Sequence, residues 1–273
     1  MQTDIPGIEA LVQDIAQLSS STFKDRCVAV YVMGSLARGG FSEVASDIDL
    51  GIILEGPLSP QDESAVDQVL SRTLERNTAV TNRVSIFWGS VDSINGVEDA
   101  GRYPPFDRLD LVDHAVLVSG RDIKDQLSRP SKKELEISSA EFALDSLDSD
   151  QIIEAFHNCE LMASKGTVSV TKAVLFPARF IYLEKTGEIA SNEAAYRYYV
   201  DRFSGQDVEL VRQAYHWRMN ALPDSLDEVV ERLEKGLAPL YCRFIDIYKQ
   251  CLNDYGEVGL SHRLGSWRDK ITG

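Results

Sequence analysis

Six residues in the first fifty have the types and spacing to handle phosphate. Gly34 and Ser35 follow the apolar run Val28 to Met33, Arg38 lies one turn further on, and Ser46-Asp47-Ile48-Asp49-Leu50 comes after a short spacer. A glycine at the point where a strand gives way to a short helix permits the close approach a phosphate needs, and backbone N–H groups there form an anion site. Ser35 adds a hydroxyl donor at the same place. Asp47 and Asp49 are two apart, so on a strand both side chains leave one face while Ile48 and Leu50 leave the other. A carboxylate pair facing a phosphate-binding turn is a hard-oxygen site of the kind Mg²⁺ prefers, with phosphate oxygens filling its remaining positions. Such a pair holds one or two metal ions, polarises the α-phosphate and helps activate an attacking hydroxyl. Arg38 either touches phosphate or pairs with a carboxylate, and the sequence leaves both open.

The elements that must position these residues follow from hydrophobic periodicity. Residues 6–23 predict an amphipathic helix, with Ile8, Leu11, Val12, Ile15 and Leu18 at helical spacing. Residues 26–33 predict a buried strand stopped by Gly34, and 47–54 a second strand ended by Glu55-Gly56-Pro57. Ser59-Pro60 opens a helix, with Ser59 as cap and Pro60 at the first helical position, running to about Asn77. Residues 83–88 and 114–119 predict a third and a fourth strand, the last closed by Gly120.

From about Ser131 strand-like runs vanish. Helical patterns cover 131–146, 149–165, 168–186, 191–203, 206–220 and 225–253, with Pro177 set to kink one of them or mark a restart. The expected architecture is α+β, with an α/β domain over 1–129 and an all-helical domain over 130–273.

Composition narrows the partners. The 273 residues are 44% hydrophobic and 26% charged, as in a globular protein. No apolar run approaches the length of a membrane span, and Met1-Gln2-Thr3-Asp4 carries no secretory signal. Cys27, Cys159, Cys242 and Cys251 show no pairing or metal-ligand spacing, which points to free thiols in a reducing cytoplasm. The four histidines are isolated, with no His or Cys partner at ligand spacing, which argues against zinc. Acids outnumber bases 43 to 28, and no basic run exceeds two residues. That argues against tracking a nucleic-acid backbone, and it suits either a cationic small molecule or simple solubility.

The arrangement Gly34-Ser35…Asp47-x-Asp49 resembles the signature of the nucleotidyltransferase superfamily. Arg38-Gly39 followed by Ser46-Asp47-Ile48-Asp49-Leu50 is similar to the small bacterial members that modify antibiotics or act as antitoxins. Residues 178–191, from Ala178-Arg179-Phe180-Ile181-Tyr182 through Thr186-Gly187 to Ser191, are similar to a segment in the helical domain of aminoglycoside adenylyltransferases. The resemblance implies a small mixed sheet flanked by helices, then a helical bundle that binds the acceptor. It implies ATP with Mg²⁺ and transfer of AMP to a hydroxyl of a small molecule, with an aminoglycoside-type acceptor as the candidate. Asp47 and Asp49 are then the catalytic metal ligands, while Gly34, Ser35, Arg38 and Ser46 bind the nucleotide.

Two positions depart from the family pattern. A third carboxylate is usual on the next strand, whereas Asn82-Arg83-Val84-Ser85-Ile86-Phe87-Trp88 has none, and the expected acid falls at Arg83 or Ser85. With Val84 and Ile86 facing the core, Arg83, Ser85 and Phe87 face the cleft. Asn192 stands where those enzymes tend to carry a phosphate-binding Lys. Replacement bases are sought at Glu141 and Glu160, or at Asp92, Glu98 and Asp99. Two other readings stay open: a nucleotide-binding regulatory protein with little catalysis, and an antitoxin-like transferase acting on a protein. Oligomeric state is unreadable.

Overall fold

The computed structural model describes residues 7–75 and 81–273. The predicted end near Asn77 of the helix that Ser59-Pro60 opens, the start of the first helix at residue 6 and the reading of Met1 to Asp4 lie outside the described residues. The chain divides into two compact units, one of residues 7–41 and 46–130, the other of 42–45 and 131–273.

The first unit runs α1 (Ile8–Phe23), β1 (Cys27–Val32), α2 (Gly34–Arg38), β2 (Ile48–Leu54), α3 (Pro60–Leu74), β3 (Val84–Gly89), α4 (Val91–Ile94), α5 (Pro105–Asp113) and β4 (Val116–Gly120). Its sheet is mixed, in the order β3-β2-β1-β4, with β1 antiparallel to both β2 and β4 and β2 parallel to β3. Period-two alternation sorts the strands onto two buried faces. Val32, Ile48, Leu50, Ile52, Ile86 and Trp88 pack with Ile8, Val12 and Ile15 of α1 and with Val66 and Val69 of α3. Ala29, Tyr31, Met33, Ile53 and Phe87 pack the other way, with Ile94 of α4 and Leu111 of α5. Phe87 is therefore a core residue, not a lining of an open cleft, because α4 and α5 cover the face that β3's odd positions present.

Local signals set the element ends. At the start of α3 the Asp62 carboxylate accepts the Ser59 N–H at 2.8 Å and its hydroxyl at 3.0 Å, a capping box with Pro60 at the first position. Arg26, just before β1, donates to Asp62 through both terminal nitrogens, at 2.6 and 3.0 Å, tying the cap to the sheet.

The second unit is helical: α6 (Lys132–Leu147), α7 (Asp150–His157), α8 (Cys159–Ser164), α9 (Gly166–Thr186), α10 (Asn192–Arg202), α11 (Gln206–Asn220), α12 (Asp227–Asp254) and α13 (Val258–Thr272). The stretch read as one helix over 149–165 is two, because the Asn158 side chain accepts the Leu161 N–H at 3.0 Å and starts α8 afresh. Pro177 neither ends nor restarts α9, which runs through it. A proline at 177 cannot donate to the carbonyl of Ala173, and that carbonyl instead accepts the Tyr241 hydroxyl of α12 at 2.8 Å. Burial holds Tyr241 in its protonated, donating form. The terminal helix α13 went unread in the sequence, although Leu264, Trp267 and Ile271 are buried on one face of it. Its glycines, Gly259 and Gly265, weaken the local pattern, and tertiary packing overrides it.

All four cysteines are free. Among the described residues, no helix is long and apolar enough to cross a membrane.

Candidate active site

The site is built where β1 ends and β2 begins, at one end of the two central strands of the sheet. Val32 pairs with Leu50, and one step further the Met33 N–H donates to the Asp49 carbonyl at 2.8 Å. The chain then turns at Gly34, whose φ is +65°. A β-carbon at Gly34 would collide with Oδ2 of Asp49 and lie 3.0 Å from its Cγ. The Asp49 carboxylate is thus seated on the bend, in space that only a glycine leaves open.

Burial alternates along the acid-bearing segment as a strand demands. Ile48 and Leu50 are fully buried, while Asp47 and Asp49 are half-buried on the opposite face. Asp47 immediately precedes the first residue of β2 and, like Asp49, is half-buried. Ser46, buried, accepts a hydrogen bond from the Ser35 hydroxyl at 3.1 Å, which draws the first turn of α2 to the segment carrying both acids. Gly34, Ser35, Ser46, Asp47 and Asp49 therefore come together.

Arg38 and the Gly34 N–H have a partner that the sequence did not suggest. Asp110, on α5 and buried, accepts the Gly34 N–H on Oδ2 at 2.7 Å and the Arg38 guanidinium on Oδ1 at 2.5 Å. Both side chains of the ion pair are more than nine-tenths buried. Of the two roles open to Arg38, the structure displays the carboxylate pair. Beside it, Tyr103 packs its hydroxyl over the α-carbon of Gly51 and donates to Met33 Sδ at 3.3 Å. Burial, then the charges of Asp107 and Asp110, push the Tyr103 pKa upward, so it stays protonated.

Parallel pairing separates the two residues named for the third-acid position. Asp49 is directly in register with Ser85, while Arg83 lies just before β3 with its guanidinium 6.0 Å from the Phe41 ring. Among the described residues, no group of three or more His, Cys, Asp or Glu side chains is arranged to hold a metal. Two carboxylates on one face, one of them set into the glycine bend, do fit Mg²⁺, which takes one or two protein carboxylates and completes its shell with phosphate and water. The other acids weighed as bases are placed elsewhere. Asp92 and Asp99 are exposed, as are Glu141 on α6 and Glu160 on α8. Glu98 accepts from the Leu58 N–H at 3.3 Å and the Ser90 hydroxyl at 3.2 Å, a loop tie. Of the aromatics of the helical unit, Tyr199 and Trp217 are core residues, and Tyr196 stacks on Tyr215 at 4.7 Å.

Three comparisons with known proteins bear on the whole. No curated protein matches the chain. Among solved structures, spectinomycin adenyltransferase AAD(9) from Enterococcus faecialis, crystallised with ATP and spectinomycin, superposes with a TM-score of 0.60 at 10% sequence identity. The match covers 97% of this chain and 99% of that one, so the two share a fold through both units. Residues 13–86, which contain the bend, both acids and Ser85, match the nucleotidyltransferase domain family.

Proposed function

We propose that this nucleotidyltransferase uses Mg²⁺ and moves a nucleoside monophosphate, AMP from ATP, onto a hydroxyl of a small cationic molecule. The observation that carries this reading is the Asp49 carboxylate seated on the Gly34 bend, with Asp47 on the same face. Asp47 and Asp49 would hold the cation. Bound there, it supplies charge neutralisation to the triphosphate and polarises the α-phosphorus. Ser35 and Ser46 present hydroxyls to the phosphate chain, and the bend keeps bulk away from it. The acceptor oxygen displaces pyrophosphate from the α-phosphorus, a reaction in which the protein mainly positions groups and neutralises charge.

The solved structure with ATP and spectinomycin supports ATP as donor and a small molecule as acceptor, and the net charge of −15 favours a cationic one. The helical unit, residues 131–273, is the part assigned to that acceptor.

Pyrophosphate release from Mg·ATP over a panel of aminoglycoside-type and related acceptors tests the reading. Asp47→Asn and Asp49→Asn should each lower turnover by at least ~100-fold, the scale expected when a preorganised transition-state contact is removed, with circular dichroism unchanged. Wild-type turnover in either variant ends the proposal. The serine across from Asp49 favours a second reading, a nucleotide-binding protein with weak catalysis. Calorimetric binding of Mg·ATP without product on any acceptor would select it.

A further inference from the structure

We infer that Asp110 is a positioning residue for the nucleotide site, acting through the Gly34 N–H. The inference rests on the nucleotidyltransferase reading above and adds a residue to it. Asp110 stands 76 positions from Gly34, on α5, yet it holds both ends of the five-residue helix α2: Oδ2 takes the N–H of its first residue and Oδ1 the guanidinium of its last. The Nε of Arg38 is buried with no hydrogen-bond partner, so the charge compensation of this guanidinium falls on Asp110. A bifurcated hold of this kind fixes the direction of the Gly34 peptide. That peptide sets the α-carbon on which the Asp49 carboxylate rests. Charge-assisted bonds in a dry site are short and directional, and Asp110 is 3% exposed.

The geometry also reassigns two groups. An N–H at Gly34 and a guanidinium at Arg38 would each suit phosphate, but one internal carboxylate takes both. Phosphate contacts then fall to the Ser35 and Ser46 hydroxyls and to the cation held by Asp47 and Asp49, and the accuracy of that cation site becomes decisive. Asp110 secures it without touching substrate.

Breaking the ion pair alone confuses positioning with stability, so the test holds the charge state constant. The full-length double variants Arg38→Met/Asp110→Asn and Arg38→Met/Asp110→Leu both lack the buried pair and are nearly isosteric. Only the first keeps an oxygen to accept the Gly34 N–H. Calorimetry with Mn²⁺ and a non-hydrolysable ATP analogue should show the asparagine variant binding at least tenfold more tightly than the leucine variant, at matched thermal midpoints. Equal affinities overturn the inference while leaving the function reading intact. A wild-type chain that binds no metal–nucleotide overturns both. Should either double variant fail to fold, hydrogen exchange on the wild type decides: the Gly34 amide is expected to be protected, and exchange at the rate of an open peptide refutes the hold.

Discussion

Gly34→Ala is the smallest change that tests the site's geometry. At φ +65° an alanine occupies left-handed backbone, which costs about 1–2 kcal/mol for a residue with a β-carbon. The added methyl would also overlap Asp49 Oδ2 and sit 3.0 Å from Cγ and 3.1 Å from Cβ of the same residue. Overpacking on that scale costs about 1–3 kcal/mol, relieved only if the carboxylate swings off the bend. The sum is about 3 kcal/mol, which lowers the melting midpoint of a domain this size by roughly 10 °C. A carboxylate displaced by an ångström no longer meets the cation, and misplacement of that order costs roughly 100-fold in turnover. Differential scanning calorimetry and the pyrophosphate assay read the two effects separately. The companion variant Gly34→Ala/Asp49→Ala removes the colliding carboxylate. It should recover the part of the loss that comes from the collision, leaving about 1–2 kcal/mol for the backbone, and recover none of the activity. Gly34→Ala with wild-type turnover and an unshifted midpoint would refute the seating of Asp49 on the bend.

Two other outcomes follow from named contacts. Nucleotide binding should require a divalent cation: a triphosphate charge about 5 Å from a carboxylate is repelled by about 3 kcal/mol at the effective dielectric of a protein surface, so chelation should weaken calorimetric binding at least ~100-fold, and equal affinity with and without chelator would contradict it. Burial pushes the Asp62 carboxyl upward, but the Arg26 fork and the two Ser59 donors outweigh it and leave it below the usual range. With the folded value under the unfolded value of about 3.9, the contribution is complete above that pH and fades as pH falls through the folded value. Asp62→Asn should therefore cost about 2 kcal/mol at pH 7, and thermal melts of the two proteins should begin to converge only as pH falls below about 4; a gap that stays constant through further acidification contradicts the ion-pair account.

The parts of this fold that are written locally could be read locally. Ser59, Pro60 and Asp62 lie within four residues of one another, and the helix starts where they place it. The alternation of Ile48, Asp49 and Leu50 is a property of any strand, and their burial follows it. Pro177 shows the limit of this reasoning. Locally it forbids a hydrogen bond, and only Tyr241, 64 residues on and buried against α9, supplies the replacement that lets the helix continue. Asn158 shows the reverse case, a side chain that competes with the backbone where periodicity alone suggests one uninterrupted helix.

At the site the same division decides what was legible. Asp47 and Asp49 could be assigned because their neighbours in sequence are also their neighbours in space. That Ser85 rather than Arg83 pairs with Asp49 depends on the register of a parallel pair, which no local pattern specifies. Asp110 carried no signal of its own. It is one acid among 43, on a short helix whose only mark is the Pro105 at its start. Its importance comes from what meets it: a glycine N–H and an arginine that begin and end another short helix. Each oxygen of this carboxylate accepts one of those donors. That separates two acids near the bend, Asp49 seated against the Gly34 α-carbon and Asp110 turned toward the Gly34 N–H and Arg38. An acid's position in the chain says little about which kind it is; the donor it faces decides.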